Sequence, residues 1–146
     1  MEERWWSAPL EGDDGHDVIV TGRDNLDKVR NSGKFPYLIK VSWHYHAISN
    51  GFPEEADEKL MGCVHDAFVE TFHKDKTAYL VAVYTGDGCR DWIFYASNLN
   101  IFNKVFNRAL ADIEETIPFE IEALQDPDWE EYEEMRTLSY IPPEEE

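Results

Sequence analysis

The order in which hydrophobic periodicity changes along the chain limits the available folds more than any other feature. Over residues 37–47, Ile39, Val41, Trp43 and Tyr45 alternate with Lys40, Ser42, His44 and His46. That period of two marks a strand with one apolar face. Gly51-Phe52-Pro53 then turns the chain, with Pro53 suited to the first position of a helix and Glu54, Glu55, Asp57 and Glu58 to its positive end. From Pro53 to His73 the spacing predicts a helix that buries Ala56, Leu60, Cys63, Val64, Ala67, Phe68 and Thr71. Residues 77–85 and 89–97 read as two strands joined by Gly86-Asp87-Gly88. A second helix over residues 100–116 carries Phe102, Val105, Phe106, Ala109, Leu110 and Ile113 on one stripe, with Ser97 or Asn98 as its cap. Pro118 ends it, and Phe119, Ile121 and Ala123 alternate with Glu120 and Glu122 as a last strand. This succession is the split βαβ pattern. The expected fold is therefore α+β, a ferredoxin-like βαββαβ antiparallel sheet with two helices on one face.

The flanks add to this unit. Residues 5–10 and 17–23 read as an N-terminal β-hairpin around Glu11-Gly12-Asp13-Asp14-Gly15-His16, which either extends the sheet or covers its open face. Residues 24–35 are polar and read as a loop or a single helical turn. Asp126-Pro127-Asp128 is a helix start, with Asp126 as cap, and a short C-terminal helix to about Leu138 follows. Trp129 and Tyr132 share a face and pin that helix to the body. Residues 1–140 thus form one domain, and residues 141–146 form a frayed acidic tail.

Composition removes several function classes. The 146-residue chain has 31 acidic and 13 basic residues and a formal net charge of −18. Residues 1–119 carry a net −8 and residues 120–146 a net −10, with Arg136 the only base in the latter. Phosphate-driven nucleic-acid binding needs Lys/Arg clusters, so direct nucleic-acid partners are not expected. Hydrophobic residues at 42% and aromatics at 14% exclude wholesale disorder. No apolar run approaches the roughly 20 residues of a membrane span. The opening Met-Glu-Glu-Arg-Trp-Trp has no secretory pattern, and Cys63 and Cys89 form no C-x-x-C. A cytoplasmic protein with two reduced thiols is expected.

Candidate chemistry is sparse. His44 and His46 project from one strand face and have a spacing that suits a shared metal, but no further ligand is tied to them by spacing. His65 and Asp66 are adjacent on a helix and do not face each other, and Cys63 is expected on the buried stripe, where a thiol is inert. The acids from Glu120 to Glu131 lack the glycine turn and distal glutamate of a calcium loop. Gly86-Asp87-Gly88 joins strands rather than opening a helix, so it is no phosphate cradle. Arg90, Trp92 and Phe94 share a strand face opposite Asp91, Ile93 and Tyr95, without the glycine-and-aromatic RNA-binding signature. No catalytic residue, metal or cofactor is expected. The candidate ligand or partner face comprises Lys40, His44, His46, Arg90, Glu130, Glu131 and Glu134.

Two motifs carry a resemblance. Gly88-Cys89-Arg90-Asp91-Trp92-Ile93-Phe94-Tyr95 followed by Asp126-Pro127-Asp128-Trp129-Glu130-Glu131-Tyr132 resembles the bacterial family catalogued as domain of unknown function 695. Pro36-Tyr37 with Trp43 and Tyr45, then Gly51-Phe52-Pro53, is similar as well, although the family's usual motif there is Gly-Met-Pro. The likeness spans residues 4–138. A more distant likeness links such domains to the regulator of ribonuclease E activity B, a small acidic protein that binds and inhibits a ribonuclease. The resemblance implies a fold and a style of action, and no catalytic residue. The expected function is a non-enzymatic, protein-binding or regulatory module with a basic partner, as monomer or homodimer. The alternative is a ligand binder or enzyme using the polar sheet face around His44 and His46.

Overall fold

The computed structural model describes residues 5–11, 17–45, 52–86, 88–114 and 117–140. The turn expected at residues 12–16, His46, the centre of the 86–88 turn, the predicted helix end at Thr116 and the 141–146 tail lie outside them. The architecture is α+β, with an open six-stranded antiparallel sheet and four helices. In chain order the elements are β1 (Trp5–Glu11), β2 (Asp17–Arg23), α1 (Asp27–Asn31), β3 (Tyr37–His44), α2 (Glu55–Lys74), β4 (Ala78–Gly86), β5 (Cys89–Ala96), α3 (Leu99–Ala109), β6 (Glu120–Gln125) and α4 (Glu130–Ser139).

The strand order is β1-β2-β4-β5-β3-β6. It is not the order of a four-stranded ferredoxin-like sheet, because the N-terminal hairpin is added beside β4, with Val20 opposite Tyr84. Of the two roles open to that hairpin, it takes sheet extension.

Each sheet face has its own core. On one face, α2 and α3 bury Phe68, Phe72, Phe102 and Phe106 against Ile39, Val41, Trp92 and Phe94. Phe68 is the hub, with its ring centroid 5.4 Å from both Trp92 and Phe106. On the other face, Trp129, Tyr132 and Met135 cover Leu38, Val81, Ile93 and Tyr95. The polar-looking side of β3 therefore meets α4 at its Leu38 end and opens toward solvent at exposed His44.

Several boundaries differ from expectation for local reasons. The buried stripe of α2 is Met61, Val64, Phe68 and Phe72, so Ala56 and Cys63 are exposed. The phase is set by the largest apolar side chains, and the small residues yield. Pro53 precedes the helix by two residues instead of opening it. Asn98 caps α3 through a 3.0 Å bond from the Ile101 amide. That helix ends at Ala109, where the ladder tightens into three-residue turns, Ala111 N to Arg108 O and Ile113 N to Leu110 O. Ile113 and Ile117 still pack on the core, so the apolar stripe continues without the helix.

Two glycines are required by their surroundings. Gly22 sits opposite Trp6 in the β1–β2 pair, and a Cβ there would lie 2.2 Å from the indole Cζ2. Gly88 takes a φ of 78°, which the β4–β5 turn needs.

Candidate functional site

The expected polar face is divided by strand register. Lys40 lies opposite Ile93 and Ser42 opposite Asp91, whereas Trp43 lies opposite Arg90. Directly paired residues share a face, so Arg90 is on the helix-covered side and Lys40, Ser42 and His44 are on the other. Grouping Arg90 with Lys40 and His44 is therefore incorrect. His44 Nε2 lies 3.2 Å from Glu120 Oε2, both side chains largely open to solvent. His46 lies outside the described residues.

Beside His44, Asp91 Oδ1 accepts from Ser42 Oγ at 2.5 Å and from Cys89 Sγ at 3.3 Å. Burial, followed by the negative charge of Asp91, pushes the Cys89 thiol up to about 12. A thiol held protonated is a poor nucleophile. Among the described residues, no three His, Cys, Asp or Glu side chains gather as a metal site.

The side chain of Arg90 instead enters a cleft of about 390 Å³ between α2 and the β2–β4–β5 edge of the sheet. Arg90 Nε donates to Thr85 Oγ1 at 2.9 Å, and the guanidinium carbon lies 5.8 Å from the Trp92 ring centroid. Trp92 Nε1 donates to His65 Nδ1 at 3.3 Å. Burial, then the Arg90 charge, holds His65 below its ordinary value. An indole N–H can only donate, so Nδ1 is the acceptor and the proton of the neutral ring sits on Nε2. Sequence spacing did not reveal His65 as a partner of this strand, since 27 residues separate it from Trp92. The visible signal was a charged residue, Arg90, on an otherwise aromatic strand face.

A second candidate surface begins at β6. Among the described residues it is an end strand bonded to β3 alone, and all six of its residues are exposed, with Ile121 at 47% and Leu124 at 52%. Ile121 and Ala123 alternate with Glu120 and Glu122 as expected, yet both stay exposed because the helix layer covers β3, β4 and β5 and stops short of β6. The chain then climbs onto the opposite sheet face through residues 126–129 into α4. Asp126 Oδ1 accepts from Glu130 N at 2.9 Å and Oδ2 from Glu131 N at 3.1 Å. Asp126 thus caps the helix from beyond an intervening turn, and the first helical residue is Glu130. Trp129 holds that turn in the left-handed region, with φ 58°. Such a conformation is strained for a bulky residue and persists only where packing fixes it. Here the indole stacks on Tyr95 at 4.2 Å and donates from Nε1 to Phe35 O at 2.9 Å.

A family model described as a family of unknown function (DUF695) matches residues 5–135. The chain belongs to this family. Comparison with curated proteins and with solved structures finds no match. In this DUF695 protein the two resemblance motifs clasp each other. Tyr95 of the strand motif stacks on Trp129 and donates its hydroxyl to Asp126 Oδ2 at 2.6 Å. The same hydroxyl accepts from Tyr132 N at 3.2 Å, and Tyr132 OH donates to Arg23 O at 2.6 Å. The closing motif of the DUF695 chain is thus a structural latch, and Arg90 alone among the strand-motif side chains named here lines a described cleft.

Of the acidic candidates, Glu130 and Glu134 border a shallow groove on α4 together with Glu133 and Arg30, and Glu131 does not. Arg30 Nη1 pairs with Glu133 Oε2 at 2.6 Å. The Tyr84 hydroxyl is raised by burial first and by the charges of Glu131 and Glu134 second. The face expected from the sequence is therefore three separate places: the His44 end of β3, the Arg90 cleft and α4.

Proposed function

We propose that this DUF695 protein is a non-enzymatic protein-binding or regulatory module that receives a basic partner along β6. The reading rests on β6 being an end strand with two large apolar side chains half in solvent. An open strand edge is a template for pairing with another chain, and such pairing supplies main-chain hydrogen bonds. Glu120 and Glu122 on the same strand favour a partner of opposite charge. The segment from Tyr37 to Gln125 is read as a ferredoxin-like unit enlarged by the hairpin, with pairings β4-β5, β5-β3 and β3-β6 in support. The likeness to the ribonuclease-regulator family makes a nucleic-acid enzyme one class of basic partner. A cytoplasmic setting accords with this reading; among the described residues, no helix is long and apolar enough to cross a membrane.

Affinity capture with the tagged chain, repeated at raised salt and with an Ile121→Lys/Leu124→Lys variant, tests the reading. A specific partner should be enriched over an equally acidic control protein and lost with the edge variant. Equal enrichment by wild type, variant and control refutes it. A dimer mass by light scattering that the same variant abolishes would instead assign the edge to self-pairing.

The alternative of a ligand site around His44 and His46 has weaker support. Lys40 and His44 line neither the Arg90 cleft nor the α4 groove.

A further inference from the structure

We propose that the cleft between α2 and the β2–β4–β5 edge binds a small monocarboxylate with a compact apolar body, its carboxylate held by Arg90 and His65. This site is independent of the β6 surface.

The first argument is a part-buried arginine that makes no ion pair among the described residues, although the Glu58 charge acts on it from the same cleft. Arg30 pairs with Glu133, Arg108 with Asp75 at 2.8 Å, and Arg136 with Asp24 at 3.4 Å. Arg90 has no ion pair among the described residues, although it is part-buried and anchored at two points, on Thr85 and over Trp92. Those two contacts use Nε and one face of the guanidinium plane. They leave the two terminal nitrogens as a preset fork, the geometry that takes a carboxylate with two parallel bonds.

The second argument is the polarity of His65. The Trp92 bond fixes Nδ1 as acceptor, so His65 presents Nε2–H as a donor without carrying charge. A donor histidine and an arginine lining one cleft select an acceptor-only group. A carboxylate is such a group.

The third argument is the cleft itself. Its volume of about 390 Å³ suits a small organic molecule, and Ile19, Val83, Phe52 and Pro53 supply apolar walls opposite the polar end. Glu58 stands in the same lining. Its charge, part of the net −18, opposes any anion in the cleft, and a doubly charged one such as a phosphate monoester at neutral pH more than a monocarboxylate.

Titration of the 15N-labelled full chain with phenylacetate at pH 7 tests the proposal. Amide shifts should centre on His65, Thr85 and Arg90, with saturation in the millimolar range or below. 2-Phenylethanol, of the same body without the charge, should bind at least about tenfold more weakly, the equivalent of roughly 1.4 kcal/mol. Phenyl phosphate should also bind more weakly. Arg90→Gln should lose phenylacetate affinity by a similar factor. Because Arg90 packs on Trp92, Thr85→Val provides a second variant that leaves the charge but frees its anchor, with a smaller loss expected. Three results overturn the proposal: equal binding of phenylacetate and phenylethanol, a shift cluster away from α2 and β5, or no response to phenylacetate, benzoate and isovalerate up to about 20 mM.

Discussion

Replacing Asp126 with alanine removes the acceptor at the centre of the latch between β5 and α4. Three donors lose their partner: Glu130 N at 2.9 Å, Glu131 N at 3.1 Å and Tyr95 OH at 2.6 Å. Glu130 is exposed, so water can replace its bond, and the loss there is that of a helix cap, about 1 kcal/mol. Tyr95 differs, because it is fully buried and its oxygen already accepts from Tyr132 N. Its hydrogen then has nowhere to go, at a further loss of about 1–3 kcal/mol. The expected total is about 2–4 kcal/mol, which for a chain of this size lowers Tm by roughly 10 °C. Urea unfolding of Asp126→Ala, Tyr95→Phe and the double variant separates the two contributions. In the Tyr95→Phe background, Asp126→Ala should lose only the cap, giving a coupling of about 1–3 kcal/mol. Additive effects, within about 0.5 kcal/mol, would refute the claim that the buried hydroxyl is the costly partner.

Three further outcomes follow from single contacts. Gly22→Ala places a methyl within 2.2 Å of the Trp6 ring, whose Nε1 bonds Ser139 Oγ at 3.0 Å; thermal unfolding should show a loss of about 1–3 kcal/mol and a shifted indole environment in near-UV dichroism. At pH 8 a disulfide reagent should titrate one thiol quickly, the exposed Cys63, while Cys89, with its pKa raised to about 12, reacts only on unfolding; two fast equivalents would contradict its burial. His65 has a folded pKa below its unfolded value of 6.5, so the unfolded state takes up the proton first as pH falls. Its contribution is complete above pH 6.5 and declines below that. The wild-type minus His65→Gln stability difference should therefore narrow with acidification, and a flat difference would remove the case for a buried neutral ring.

The elements were legible where one period ran unbroken. β3 alternates cleanly and starts at Tyr37 as expected, ending at His44, and the β4–β5 pair was marked by its glycines, so its limits fall within one residue of expectation. The phase of α2 was less legible, because Ala56 and Cys63 satisfy the same spacing that Met61 and Phe72 satisfy better by size. The openness of β6 was not legible at all. Ile121 alternates as an inward residue should, and its exposure depends on how far α2 and α3 reach across the sheet. Candidate sites fared similarly. The sequence marked Arg90 as anomalous, but only register shows that it turns away from Lys40 and His44 and toward His65. The latch residues Tyr95, Asp126 and Trp129 were recognisable as motifs, while their mutual contact is a property of the folded chain.

The acidic end of the chain looks, in composition, like a single electrostatic device. The contacts divide it. Glu120 faces His44, Glu122 lies next to Lys40 in register, Asp126 caps α4 and Glu133 holds Arg30. Glu130 and Glu131 stand in the first turn of α4, where a negative charge is favoured by the helix dipole. Most of the described acids from β6 to α4 therefore have a local reason to be where they are, so their charge bears on the sign of a partner and not on where it docks. The exposed apolar side chains of β6 have no such local reason. This difference fixes how binding variants should be interpreted. Neutralising Glu130, Glu131 and Glu134 alters long-range attraction, so it should change the association rate and the salt dependence of any complex. Substituting Ile121 and Leu124 alters the contact itself, and should appear in the dissociation rate.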